Sequence, residues 1–222
     1  MTTRRAPGRA AATTDAPGRR GVATTGAPSR GATRALLGTL VAGAAVSSAL
    51  GLYARLHVPT GRTLTTLGFT DLVHMKAWLT TAALVLAAGQ VLSALRLYGR
   101  LGGRQRGSSG QRASSGQRAE PAPVWVHRLH RSGGALAVLL TLPVAFQCAW
   151  SLGFGTYSAR VLVHSVLGCL LYGVFVAKML ALRLRRPPGW LIPWLGGSLV
   201  LAFVGLWLTS SLWFFTHGGR GY

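Results

Sequence analysis

ALLGTLVAGAAVSSALGLYA, residues 35–54, is a run of 20 residues without a charge. Coiled as an α-helix it is about 30 Å long, the thickness of a bilayer's hydrocarbon core. A secretory leader with a cleavage site near Ser47–Ala49 would need a shorter apolar run, so the segment reads as a membrane span. Four more runs follow. Ala77–Leu95 is charge-free between Lys76 and Arg96. Ser132–Ala159 holds a span ending near Phe154 and a short GTYS loop. Val161–Ala177 continues past Lys178 to Leu182, and Pro187–Thr216 holds the last. Lys178 is close enough to the end of its helix to snorkel to the interface. The fold class predicted is an all-α integral membrane bundle of five transmembrane helices, at about 35–56, 73–96, 132–154, 160–182 and 190–215.

The segments outside this 35–217 domain differ in kind. Residues 1–34 carry APGR at 6–9 and 16–19, APSR at 27–30, and seven Arg. Pro, Gly and charge cannot repay ordering entropy by burial, so a disordered basic tail is expected. Residues 99–123 contain SSGQR twice and read as a flexible loop.

Half the residues are hydrophobic and mean hydropathy is +0.37. Against 24 Lys and Arg stand three acids, Asp15, Asp71 and Glu120, giving a net charge of +21. Such a balance often marks a nucleic-acid partner. Here the basic residues sit in tails and loops between apolar runs, so the partner expected is the lipid bilayer and no nucleic acid. The tail, the 96–131 loop and the 183–186 turn hold 18 basic residues on one side of a five-span layout. Arg55, Arg62, Lys76, Arg160 and Arg220 fall on the other. The positive-inside rule then puts the N-terminus in the cytoplasm and the C-terminus outside a bacterial plasma membrane. Trp125, Trp150, Trp190, Trp194 and Trp213 lie near span ends, as an aromatic belt does.

Polar residues inside spans carry the functional signal, because lipid makes them expensive. His74 opens the second span and His164 the fourth, at similar depth near the outer surface. A b-type haem needs two neutral imidazoles from different helices at one level, and these two meet that requirement. Gly168, one turn below His164, leaves room for a flat macrocycle. Gln147 falls at nearly the same level after Pro143, whose missing N–H loosens its helix. Arg62, Lys76 and Arg160 are outer-side cations suited to haem propionates. The bland reading is that these histidines cap or hydrogen-bond at the interface. His127 and His130 share a face at the inner entrance of the third span, in HRLHR, a stretch suited to lipid phosphate. Cys148 and Cys169 have no metal-type spacing and read as small packing residues.

HRLHRSGGALAVLLTLPVAFQCAWSLGF (127–154), RVLVHSVLGCLLYGVFVAKML (160–180) and LWLTSSLWFF (206–215) resemble an uncharacterised family of actinobacterial membrane proteins, defined as a domain of unknown function. More distantly the layout resembles haem-bearing domains of the cytochrome b and ferric-reductase type. That likeness implies paired histidines 13 to 14 residues apart on one helix. Here the step from His74 reaches Ala87 or Ala88, and from His164 it reaches Ala177 or Lys178.

Two functions stay open. One is an electron-transfer subunit with a single outer-side haem b, serving respiratory or reductase subunits. The other is a cofactor-free structural or assembly subunit of a membrane complex. A transporter is disfavoured because the spans hold no Asp or Glu, and no Ser or Cys has the His and acid that hydrolysis needs.

Overall fold

A computed structural model describes residues 30–99 and 123–218. Most of the expected tail and the whole SSGQR loop lie outside the described residues.

Every regular element among the described residues is a helix, and five helices are long and apolar enough to cross a membrane. They are α1 (Arg30–Leu56), α2 (Leu72–Leu97), α3 (Val124–Gln147), α4 (Ala159–Ala181) and α5 (Leu191–Thr209). The α3 helix runs on through a π-helical turn, Cys148–Leu152, and a short α6 (Ser211–Thr216) completes the fifth crossing. The chain is thus a multi-pass membrane protein.

Three boundaries differ from the sequence expectation. The first helix already includes Arg30, the first described residue, ahead of the span expected from about residue 35. The third begins at Val124 rather than near 132, directly after Pro123, so His127 and His130 sit on helix. The fifth crossing is broken at Ser210, whose φ of −124° and ψ of −69° leave the helical region.

Neighbouring spans run antiparallel, in the order α1, α4, α5, α2, α3 around the bundle. The α1–α4 seam is built from small residues. A Cβ on Gly43 would come 2.6 Å from the Gly173 carbonyl oxygen and 2.9 Å from Ala177 Cβ. A Cβ on Gly173 would strike Ser47. Close backbone approach replaces the hydrophobic effect that lipid cannot supply. The α5 helix is the hub: Leu199, Ala202, Phe203 and Leu206 pack on Ala83 and Ala87 of α2, Ala137 of α3 and Leu171 of α4. The ring of helices is less closed between α3 and α1, where α3 reaches α1 mainly through its π turn.

The α1–α2 connection lies over the end of the bundle that holds the π turn. Thr60 N–H donates to Trp150 O at 3.2 Å and Gly61 N–H to Ser151 O at 3.1 Å. Phe154 N–H donates to Ala54 O at 2.8 Å. Carbonyls in the last turn of a helix lack intrahelical donors, and the loop supplies donors to those of Trp150 and Ser151.

Candidate functional site: a central cavity at one end of the bundle

The five spans enclose a cavity of about 360 Å³ at the end where α1 finishes and α4 begins. Every span contributes to it: Leu50 from α1, Lys76 from α2, Val144 from α3, His164 from α4 and Thr209 from α5. It persists in a bundle that elsewhere packs glycine on glycine.

One stripe of α4 supplies most of its chemistry. Arg160, His164, Gly168 and Tyr172, four residues apart, all line the cavity. Ser158 starts this helix, its hydroxyl accepting from Val161 N–H at 3.3 Å. The Thr209 hydroxyl sits 2.7 Å from Gly205 O and 3.0 Å from His164 Nδ1. Having given its one hydrogen to the carbonyl, Thr209 accepts from Nδ1–H. The ring is thereby held as the tautomer whose Nε2 keeps its lone pair. Arg160 is also fixed: Nη1 donates to Thr209 O at 2.6 Å, and its guanidinium lies 4.4 Å from the centre of the Trp213 ring. A Cβ added at Gly168 would meet nothing within 4 Å. Tyr172 O–H donates to Thr141 on α3 at 2.9 Å. On α2, Lys76 is buried and lines the same space. The cavity therefore carries cationic groups and an imidazole but no carboxylate.

Of the residues singled out from sequence, His164 and Gly168 meet here, together with Lys76 and Arg160. His74 does not line the cavity. Its Nδ1 lies 2.7 Å from Asp71 Oδ2, and its ring stands edge-on to Phe214 at 4.8 Å. Asp71 caps α2, accepting from the backbone N–H groups of Val73 and His74 at 2.8 Å. The His74 N–H and ring hold its carboxyl below the usual carboxylate range. Gln147 also lies outside the cavity: it is buried, donates from Nε2 to Thr65 O at 3.2 Å, and its Oε1 has no partner among the described residues. Arg62 is exposed on the α1–α2 connection and does not line the cavity. His57 is sandwiched between Tyr53 and Trp150 at 5.2 and 5.0 Å. At the other end of the bundle, His130 Nδ1 pairs with Ser93 Oγ at 2.8 Å and His127 is exposed.

Cys148, Cys169, Tyr172 and Thr209 line the cavity without having been singled out as site residues. Tyr172 carried a signal, since it extends the four-residue spacing of His164 and Gly168. Thr209 carried none, because its role depends on α5 crossing α4 at that level.

The fold and the cavity define a multi-pass membrane protein with a largely apolar cavity among its helices, into which a few polar and cationic side chains reach. Residues 36–221 match the model of a family of unknown function, DUF6529, and the chain belongs to that family. No curated protein and no solved structure matches it.

Proposed function

We propose that this protein is a haem-binding electron-transfer subunit in which His164, presented to the central cavity by α4, would hold the haem. The observation carrying this reading is the convergence on one cavity of a tautomer-fixed imidazole, open space at Gly168 and two cations. Nε2 of His164 would face the iron, with Thr209 orienting the ring as outer partners of ligating histidines do. Gly168 would leave space for the group, and Lys76 and Arg160 would offset propionate charge. A haem bound there supplies one-electron transfer. The two-imidazole clamp does not fit, because His74 is committed to Asp71 and Phe214 outside the cavity. A clamp would require α2 to turn that side chain inward.

The reading includes placement in a bacterial plasma membrane with the N-terminus and the arginine-rich turns in the cytoplasm, beside respiratory or reductase subunits. A reporter active only outside the cytoplasm, fused after Tyr222, is expected to work, and one active only inside to be silent. The reverse pattern removes the outer-side assignment.

The redox test is a reduced-minus-oxidised absorbance spectrum of the full-length protein purified from haem-replete cells. Wild type and His74→Ala should show a Soret band, and His164→Ala should show none. A colourless wild type, or equal loss in both variants, overturns the proposal.

One observation favours a second reading. The incomplete closure between α1 and α3 gives a membrane-dissolved molecule a sideways route to the cavity. A quinone-type carrier would accept hydrogen bonds from the cations at its carbonyls and place its tail in lipid. A colourless protein that binds a quinone analogue, with binding lost in His164→Ala, supports this reading against the first.

A further inference from the structure

A second recess lies at the opposite end of the bundle, far from His164. The first turns of α1 and the α4–α5 connection form a groove of about 1170 Å³. Arg183, Arg185 and Arg186 line it from the connection and Trp190 stands at its edge. Its floor is apolar: Leu36 and Leu184 pack on the buried Ala181 and Leu191. Three guanidinium groups over an apolar floor need a ligand that is anionic at one end and hydrocarbon at the other. Among the described residues Asp71 is the sole carboxylate, and it caps α2 at the other end of the molecule.

We propose that this groove binds the headgroup of an anionic phospholipid, its phosphate on Arg183, Arg185 and Arg186 and its acyl chains leaving along α1 and α4. Arginine suits the task because its planar fork pairs with phosphate oxygens two at a time. An exposed Trp190 at the groove edge matches the headgroup level that tryptophan favours. The groove depends on α1 beginning at Arg30, five residues before the apolar run, since Gly31, Ala32 and Thr33 form its far wall.

The test uses the full-length protein in detergent with added phosphatidylglycerol or cardiolipin, read by native mass spectrometry and by thermal stability. Wild type should retain the anionic lipid and gain stability from it, and phosphatidylcholine should do neither. Replacing Arg183, Arg185 and Arg186 together by Gln should weaken retention about a hundredfold, at roughly fivefold per arginine near a lipid surface. A control replacing the exposed Arg55, Arg62 and Arg96 by Gln removes the same charge and should keep wild-type binding. Should the first triple variant fail to insert, Thr33→Glu places an acid on the α1 wall with every arginine intact. Glu in the first turn suits a helix N-terminus, and this variant should also lose the lipid. Equal weakening in the control triple, equal retention of phosphatidylcholine, or unchanged binding in Thr33→Glu overturns the proposal. So does full displacement of the lipid by millimolar inorganic phosphate, which would make the groove a site for a free anion.

Discussion

The two sides of α4 use glycine in opposite ways. Toward α1, Gly173 leaves no room for even a methyl group, and Gly43 and Ser47 close onto it. Toward the bundle centre, one helical turn nearer the start of α4, Gly168 faces open space beside His164. A helix able to pack to backbone contact on one face has kept a void on the other. Small residues at the seam supply adhesion in lipid, where apolar burial gains nothing, and the same residue type at the cavity supplies volume. The contrast separates a packed face from an open one within a single helix.

The sharpest way to break that comparison is to make one substitution on both faces. Gly43→Ala should destabilise the protein by about 1–3 kcal/mol, as overpacking does, because the new methyl meets a carbonyl oxygen 2.6 Å away. Gly168→Ala should stabilise it by up to about 1 kcal/mol, since alanine is the better helix former and nothing obstructs it. Unfolding midpoints of the two full-length variants check this. Equal effects would mean that the cavity closes in the membrane and that the distinction fails.

A smaller effect on stability but a larger one on binding should follow Gly168→Leu. Its side chain fills the cavity without touching the α1 seam, so the folded protein should survive while its Soret band, or quinone binding under the second reading, is lost. Retained binding would remove the cavity from the proposed site.

Five spans were legible in sequence because charge-free runs of near-membrane length leave a bundle as the single economical reading. Position along the spans places His164, Gly168, Lys76 and Arg160 at one end, where they line one cavity. Depth leaves azimuth open. His74 and Lys76 are two residues apart, about 200° around a helix at 3.6 residues per turn, so only one of them can face the cavity. Charge alone does not decide which, and the outcome depends on Asp71. As the cap of α2 it holds the His74 ring at the rim, which turns Lys76 inward. Gln147 is likewise turned away from the cavity, and its amide reaches Thr65 in the connection. The third helix begins ahead of its apolar run because Pro123, rather than charge, sets its start.

Asp71 carries the last and smallest prediction, and it sharpens the contrast between the rim histidine and the cavity histidine. Its carboxyl accepts two backbone N–H groups and sits beside the His74 ring, so its pKa lies below the ordinary 3.8. A carboxyl with a lowered folded pKa contributes stability above its unfolded value, and the contribution disappears as pH falls through the folded value. The start of α2 should therefore be firm at neutral pH and fray only below about pH 3.8. Asp71→Asn keeps a capping side chain, so its stability near pH 7 should change little. Its acid sensitivity at this end should vanish, read as hydrogen exchange of the Val73 and His74 amides against pH. The His164 site, tied to α5 through Thr209 and not to α2 through Asp71, should be untouched at neutral pH. A Soret band or quinone affinity altered in Asp71→Asn would show that the rim and the cavity act as one site, and would bring His74 back into it.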